Sequence, residues 1–154
     1  MPQDWLFQTE NGVCDFRCAG LLIQDGKVLL QRDGNEYAVP GGHVQFGETG
    51  AEAVVREFRE ELGVSVQCGN VLWTEECFWQ WKGKLNHTLS FYYSVSLKED
   101  SELPPQGFWR MKDHPHVEMG WVALEEVKGL KVYPDFLKTE IIELRAGHFV
   151  SRYE

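Results

Sequence analysis

The chain has 154 residues, 43% of them hydrophobic, with 15 Lys and Arg against 24 Asp and Glu for a formal charge of −9. That length suits one domain spanning residues 1–154 and able to bury about 70% of its unfolded surface. The charge argues against a nucleic-acid duplex or an anionic membrane as partner. The start, Met1-Pro2-Gln3-Asp4-Trp5, lacks the basic and apolar runs of a signal peptide, and no apolar stretch approaches the roughly 20 residues of a membrane span, so a cytoplasmic setting is expected.

In chain order, Trp5 to Thr9 and Val13 to Ile23 are predicted strands joined across Asn11-Gly12, a strong hairpin signal. Asp25-Gly26 gives a second tight turn into a strand over Lys27 to Arg32, and a short strand around Tyr37 to Val39 leads to Pro40-Gly41-Gly42. Thr49 followed by Glu52 has the form of a capping box, and Gly63 sits where a left-handed residue would end a helix after Leu62. Ala51, Val54, Val55, Phe58 and Leu62 supply that helix with an apolar stripe. Beyond it, Val64 to Trp73 and Glu75 to Lys82 are predicted extended, with Lys82-Gly83-Lys84 turning into Leu85 to Leu97. Residues 98–106 form a polar, proline-bearing loop. Gly120 to Leu124 is a further strand, Glu125 to Val127 a short helical turn, and Pro134 opens a final helix running to about Arg145. Cys14, Cys18, Cys68 and Cys77 are scattered without a Cys-x-x-Cys pair, which points to buried or partly buried free thiols rather than a zinc site.

The chemistry concentrates on the helix over residues 49–62. Glu57, Glu60 and Glu61 stand at i, i+3 and i+4, within an arc of about 100° and about 120° from the centre of the apolar stripe. Like charges so close repel and by themselves cost stability. A hard divalent cation reverses that sign, because Mg²⁺ or Mn²⁺ takes carboxylate oxygens. Upstream, Gly41 and Gly42 let backbone approach a ligand with no Cβ in the way, and a carbonyl there can join a metal shell.

The spacing Gly42, five residues, Glu48, seven residues, Arg56-Glu57-Phe58-x-Glu60-Glu61-Leu62-Gly63-Val64 resembles a complete Nudix box. Average residue usage would give it by chance with a probability of about 10⁻⁷ or less. The resemblance implies an α/β (α+β) fold, an α/β/α sandwich around a mixed sheet, with the acidic helix at about 49–62 and a C-terminal helix at about 134–145. It also implies a metal-dependent pyrophosphohydrolase that cleaves a nucleoside diphosphate linked to another moiety, such as a (d)NTP or nucleotide sugar. Glu57, Glu60 and Glu61 then correspond to metal ligands, with one of them, most often the position of Glu57, doubling as base. Glu48 and Arg56 correspond to residues that orient the carboxylates, and the carbonyl of Gly42 or Gly41 completes the shell. Glu118 is a further candidate for holding metal or activating water, since Nudix hydrolases often place a glutamate two or three residues before a tryptophan at this strand, here Trp121. Glu75 and Glu76 are alternatives bordering the aromatic strand.

Substrate identity is less legible. Where an ADP-ribose type has a proline about 15 residues past the box, this chain has Phe78-Trp79-Gln80, and the tyrosine of the dinucleoside-polyphosphate type does not occur until Tyr92. Coenzyme-A and NADH-type signatures are also missing. Trp79 is a candidate for stacking on a base, against the more common role of strand aromatics as core. Arg17 and Arg32 are candidates for phosphates, with Lys82 or Lys84 at a turn. The expected partner is a small nucleotide; a homodimer is left open. A nucleotide-sensing module without turnover is the second reading, and the intact acidic set favours catalysis over it.

Overall fold

The computed structural model describes residues 2–111 and 113–154. Eleven strands among them join in one mixed sheet. Its centre is β2 (Gly12–Gln24), flanked on one side by β3 (Lys27–Asp33), antiparallel, and on the other by β7 (Lys84–Leu97), parallel to it over Val13 to Leu22. Next to β7 runs β6 (Val66–Trp81), antiparallel. The two-residue turns Asp25-Gly26 and Lys82-Gly83 close the β2–β3 and β6–β7 hairpins with positive φ at both positions, the twist that matches right-handed strands. β1 (Leu6–Thr9) and β5 (Gly41–His43) add to β2, while β4 (Glu36–Ala38) and β9 (Val117–Ala123) add to β3.

Alternation along β2 and β3 divides the core into two layers. Cys18, Leu22 and Leu29 pack with Val54 and Phe58 of α1 (Gly50–Leu62). Ala19, Leu21, Val28 and Leu30 face the other way, onto Val127 of a 3-10 turn (Leu124–Gly129) and Leu137 and Ile141 around α2 (Leu137–Glu140). The α/β/α order of layers is therefore present. No helix among the described residues is long and apolar enough to cross a membrane.

Several expectations need correction. The helix expected over 134–145 is only the four residues of α2. Leu144 takes a positive φ of 54°, and the chain then turns into an unforeseen strand, β11 (Gly147–Arg152), parallel to β6 from Trp73 to Phe78. The Trp73 indole donates to the Arg145 carbonyl at 2.9 Å, which anchors the chain on β6 as it turns into β11. Val64 to Trp73 and Glu75 to Lys82 are one strand, β6, made irregular by register shifts around Val71. The first hairpin turns on Glu10-Asn11, with Gly12 already paired to Thr9. The Gly-Gly turn is itself strand β5, and two further short strands, β8 (Phe108–Arg110) and β10 (Lys131–Tyr133), carried no sequence signal. All four cysteines are free; Cys18 and Cys77 are buried, but Cys14 is exposed.

Candidate active site

The acidic helix begins and ends as its sequence predicts. Thr49 accepts from the Glu52 amide, Glu52 reaches back to the Thr49 amide, and Gly63 closes the helix at φ 68°. With its apolar side on the sheet, α1 turns Glu57 toward β5. A Cβ on Gly42 would collide with the Glu57 carboxylate, so only glycine there lets that carboxylate rest against the strand backbone. The Gly42 carbonyl accepts from the buried Cys18 thiol at 3.6 Å. Burial, and then the charge of Glu57, push that thiol up to about 12.

Glu61 lies within hydrogen-bond reach of Glu57. Burial first, then the charge of Glu57, raise its pKa to about 7. Partial burial and a second like charge both oppose ionisation of Glu61. Glu60 is different: its side chain is 59% exposed and reaches Arg56 at 3.3 Å. Among the described residues, no three His, Cys, Asp or Glu side chains converge as a ready metal cage. Of the three helix carboxylates expected to hold a cation, Glu57 and Glu61 lie close together, Glu57 against the Gly42 backbone, and Glu60 lies at the rim.

Arg56 organises this set. Its guanidinium donates to both oxygens of Glu48, at 3.1 and 2.6 Å, to Glu57 at 3.0 Å, to Glu60, and to the His43 carbonyl at 3.0 Å. Glu48 in turn accepts from the Gln45 amide. The Arg56 hydrogen bond holds the Glu48 carboxyl below its ordinary pKa. The fork geometry of arginine makes this web possible.

On the opposite face of the sheet lies a cavity of about 490 Å³ floored by β2, β6 and β7, within the usual range for small-ligand sites. Asp15, Arg17, Glu75, Trp79 and Thr88 line it. Arg17 also lines a smaller cavity that reaches Gly41, and its charge is felt by Glu61. Arg17 therefore links the larger cavity to the Gly41–Gly42 strand on which Glu57 rests. Asp15 accepts from Thr88 and pairs with His43 Nε2 at 2.8 Å. Burial alone would raise Asp15, but these hydrogen bonds and the nearby His43 and Arg17 charges bring it below its ordinary value.

A family model of the NUDIX domain matches residues 16–140. The chain belongs to the Nudix family. A curated relative, the ADP-ribose pyrophosphatase of Methanocaldococcus jannaschii, is 46% identical over 50 residues. That match spans 29% of this chain and 30% of the relative, so less than a third of its length is shared in the alignment. Among solved structures, the mutator MutT protein from Bacillus halodurans superposes with a TM-score of 0.68 at 18% identity, covering 90% of each chain. An ADP-ribose pyrophosphatase from Streptococcus suis gives 0.55 at 16% identity, covering 91% of this chain and 98% of that one. At such identities the superpositions speak to fold alone.

Within this Nudix fold the sequence candidates separate. Glu48, Arg56, Glu57, Glu61 and Gly42 come together, and Arg17 and Trp79 share the cavity wall. Arg32 and Glu118 do not join them. They sit directly opposite on β3 and β9 and pair at 2.9 Å, with Arg32 also stacked over Phe108. Neither lines the cavity. Lys82 lies over the exposed Trp81 ring, and Glu76 pairs with His148 at 2.7 Å on the exposed face of β6. The sequence did not single out Asp15, His43 or Tyr92, and offered Glu75 only as an alternative to Glu118 for the metal. The usable signal was alternation: Glu75, Cys77 and Trp79 share one face of β6 opposite Ser90, Thr88 and Asn86 of β7, a polar stripe buried where a core strand would be apolar.

Proposed function

We propose that this Nudix chain is a divalent-cation-dependent pyrophosphohydrolase that cleaves a nucleoside diphosphate linked to another moiety, with a (d)NTP or nucleotide sugar as the substrate class. The observation carrying this reading is Arg17, which lines both a ligand-sized cavity and a smaller one reaching Gly41, beside the Gly42 backbone on which Glu57 rests. A nucleotide lying along β2 would place its base in the cavity and its phosphates between Arg17 and the acidic helix.

Glu57, Glu61 and the Gly42 carbonyl would hold Mg²⁺ or Mn²⁺, with Glu60 at the rim. Such a cation neutralises pyrophosphate oxygens and makes water a better nucleophile. The chain's own residues do the rest. Arg56 fixes the Glu57 rotamer and, through Glu48, ties the helix to the loop before it. The Glu57–Glu61 pair accepts the proton that water loses as it attacks phosphorus and the bridging P–O bond breaks. Arg17 draws the substrate's negative charge into an otherwise acidic region. The ADP-ribose pyrophosphatase relative is in keeping with this reaction class. Layers that share β2 and β3 support one catalytic domain over residues 1–154, and the four free thiols support a cytoplasmic setting.

A sensing module without turnover would need the cavity but not the strained Glu57–Glu61 pair. The test is a nucleotide panel incubated with Mg²⁺ or Mn²⁺ and scored for phosphate-bearing products. Turnover should require the divalent cation, vanish in EDTA and survive selective removal of zinc. Tight nucleotide binding with no turnover in any divalent cation would establish the sensing role instead.

A further inference from the structure

Glu75 is the most anomalous side chain in the cavity. It is 2% exposed, and one oxygen, Oε1, accepts from the Tyr92 hydroxyl at 2.8 Å. The other, Oε2, is buried with no hydrogen-bond partner from the protein. Buried carboxylate oxygens are rarely left so, because their desolvation is uncompensated. The acidic helix does not use this group, which stands on the cavity side of the sheet.

The surroundings define what would satisfy it. Asp15, Glu36 and Glu154 also line the cavity, and Arg17 is the cation among its described lining residues. Such a chamber repels phosphate and favours a neutral group rich in N–H donors. Trp79 is fixed in the wall by its indole hydrogen bond to Thr88 at 3.2 Å and offers a ring face for stacking. Glu75 and Trp79 are about 13 Å apart along β6, and the small Cys77 between them leaves floor for a purine.

We propose that Glu75 reads the nucleobase of the substrate and that the base it selects is guanine. This rests on the nucleotide reading given above. Guanine presents a ring N1–H and an exocyclic amino group side by side, two donors that match an acceptor-only carboxylate. Adenine and cytosine place a ring acceptor next to their amino group, so one lone pair would face another. Hypoxanthine keeps the ring N–H and lacks the amino group. A site built to hydrogen-bond a donor rejects the analogue without it strongly, because the buried acceptor is then unpaired. Tyr92 supports the arrangement by donating to one lone pair of Oε1, which fixes the carboxylate and leaves the other Oε1 lone pair and Oε2 for the two donors of the base; this makes it a positioning residue.

Titration calorimetry with GMP, IMP, AMP and CMP in EDTA, using the full chain, tests this without catalysis. GMP should bind at least about tenfold tighter than IMP, AMP or CMP. Glu75→Gln, which replaces one acceptor oxygen by a donor, should weaken GMP at least about tenfold and erase the preference. Tyr92→Phe should keep the preference for GMP, since both acceptor oxygens remain. AMP or CMP binding as tightly as GMP, no measurable GMP binding at millimolar concentration, or an undiminished GMP preference in folded Glu75→Gln would each overturn the assignment. Selective GMP binding without turnover of any guanine nucleotide would instead refute the hydrolase reading and leave this inference standing.

Discussion

Replacing Arg56 by Met removes the cation from the centre of the acidic web while keeping a similar side-chain length. Five hydrogen bonds go at once, four of them to carboxylates. Breaking a fully buried pair by deleting one partner costs about 3–5 kcal/mol. Here Arg56 and Glu48 are 19% and 16% exposed, so solvent screening lowers the expectation to about 2–4 kcal/mol. In a chain of this size each kcal/mol moves the melting temperature by about 2–4 °C, so a loss of about 3 kcal/mol lowers it by about 6–12 °C. Urea unfolding in EDTA of the wild type, Arg56→Met, Glu48→Gln and the double variant would measure both the loss and the coupling. The acid limb gives a second check. Arg56 depresses the Glu48 pKa in the folded state, so the folded chain binds fewer protons there than the unfolded one. That stability is fully present above the ordinary glutamate value of 4.5 and is lost as pH falls through the folded value. Both Arg56→Met and Glu48→Gln should flatten this limb. A loss below about 1 kcal/mol for Arg56→Met, or strict additivity in the double variant, would refute the claim that Arg56 holds the carboxylates together.

Glu61→Gln should leave the cation-free melting temperature unchanged or raised, since burial and the Glu57 charge already push Glu61 up to about 7, while turnover falls about 10²-fold or more; a clear drop in cation-free stability would show the pair to be structural. Glu118→Gln should keep turnover and cation affinity within about threefold of the wild type, because Glu118 is tied to Arg32 in a half-exposed pair of modest worth; loss of cation affinity would restore it to the metal set.

The sequence by itself determined the parts governed by short-range rules. The capping box at Thr49 and Glu52, the stop at Gly63 and the turns at Asp25-Gly26 and Lys82-Gly83 follow from backbone preferences within a few residues, and the Nudix family followed from one contiguous motif. The spacing of Glu57 and Glu61 on one helix fixed their mutual approach. Tertiary structure decided what depends on residues distant in the chain. β11 formed just past the shortened helix because β6 offered it a free edge, with the Arg145 carbonyl before it tied to the Trp73 indole. The fold also left Glu60 at the rim against Arg56 and set Glu118 opposite Arg32 across the β3–β9 ladder, the latter two being residues that no local pattern links. Most of all, the cavity exists only because β2, β6 and β7 align Asp15, Thr88 and Glu75 on one face. A strand pattern shows that such residues alternate, but which face is core and which is a chamber depends on what packs over it.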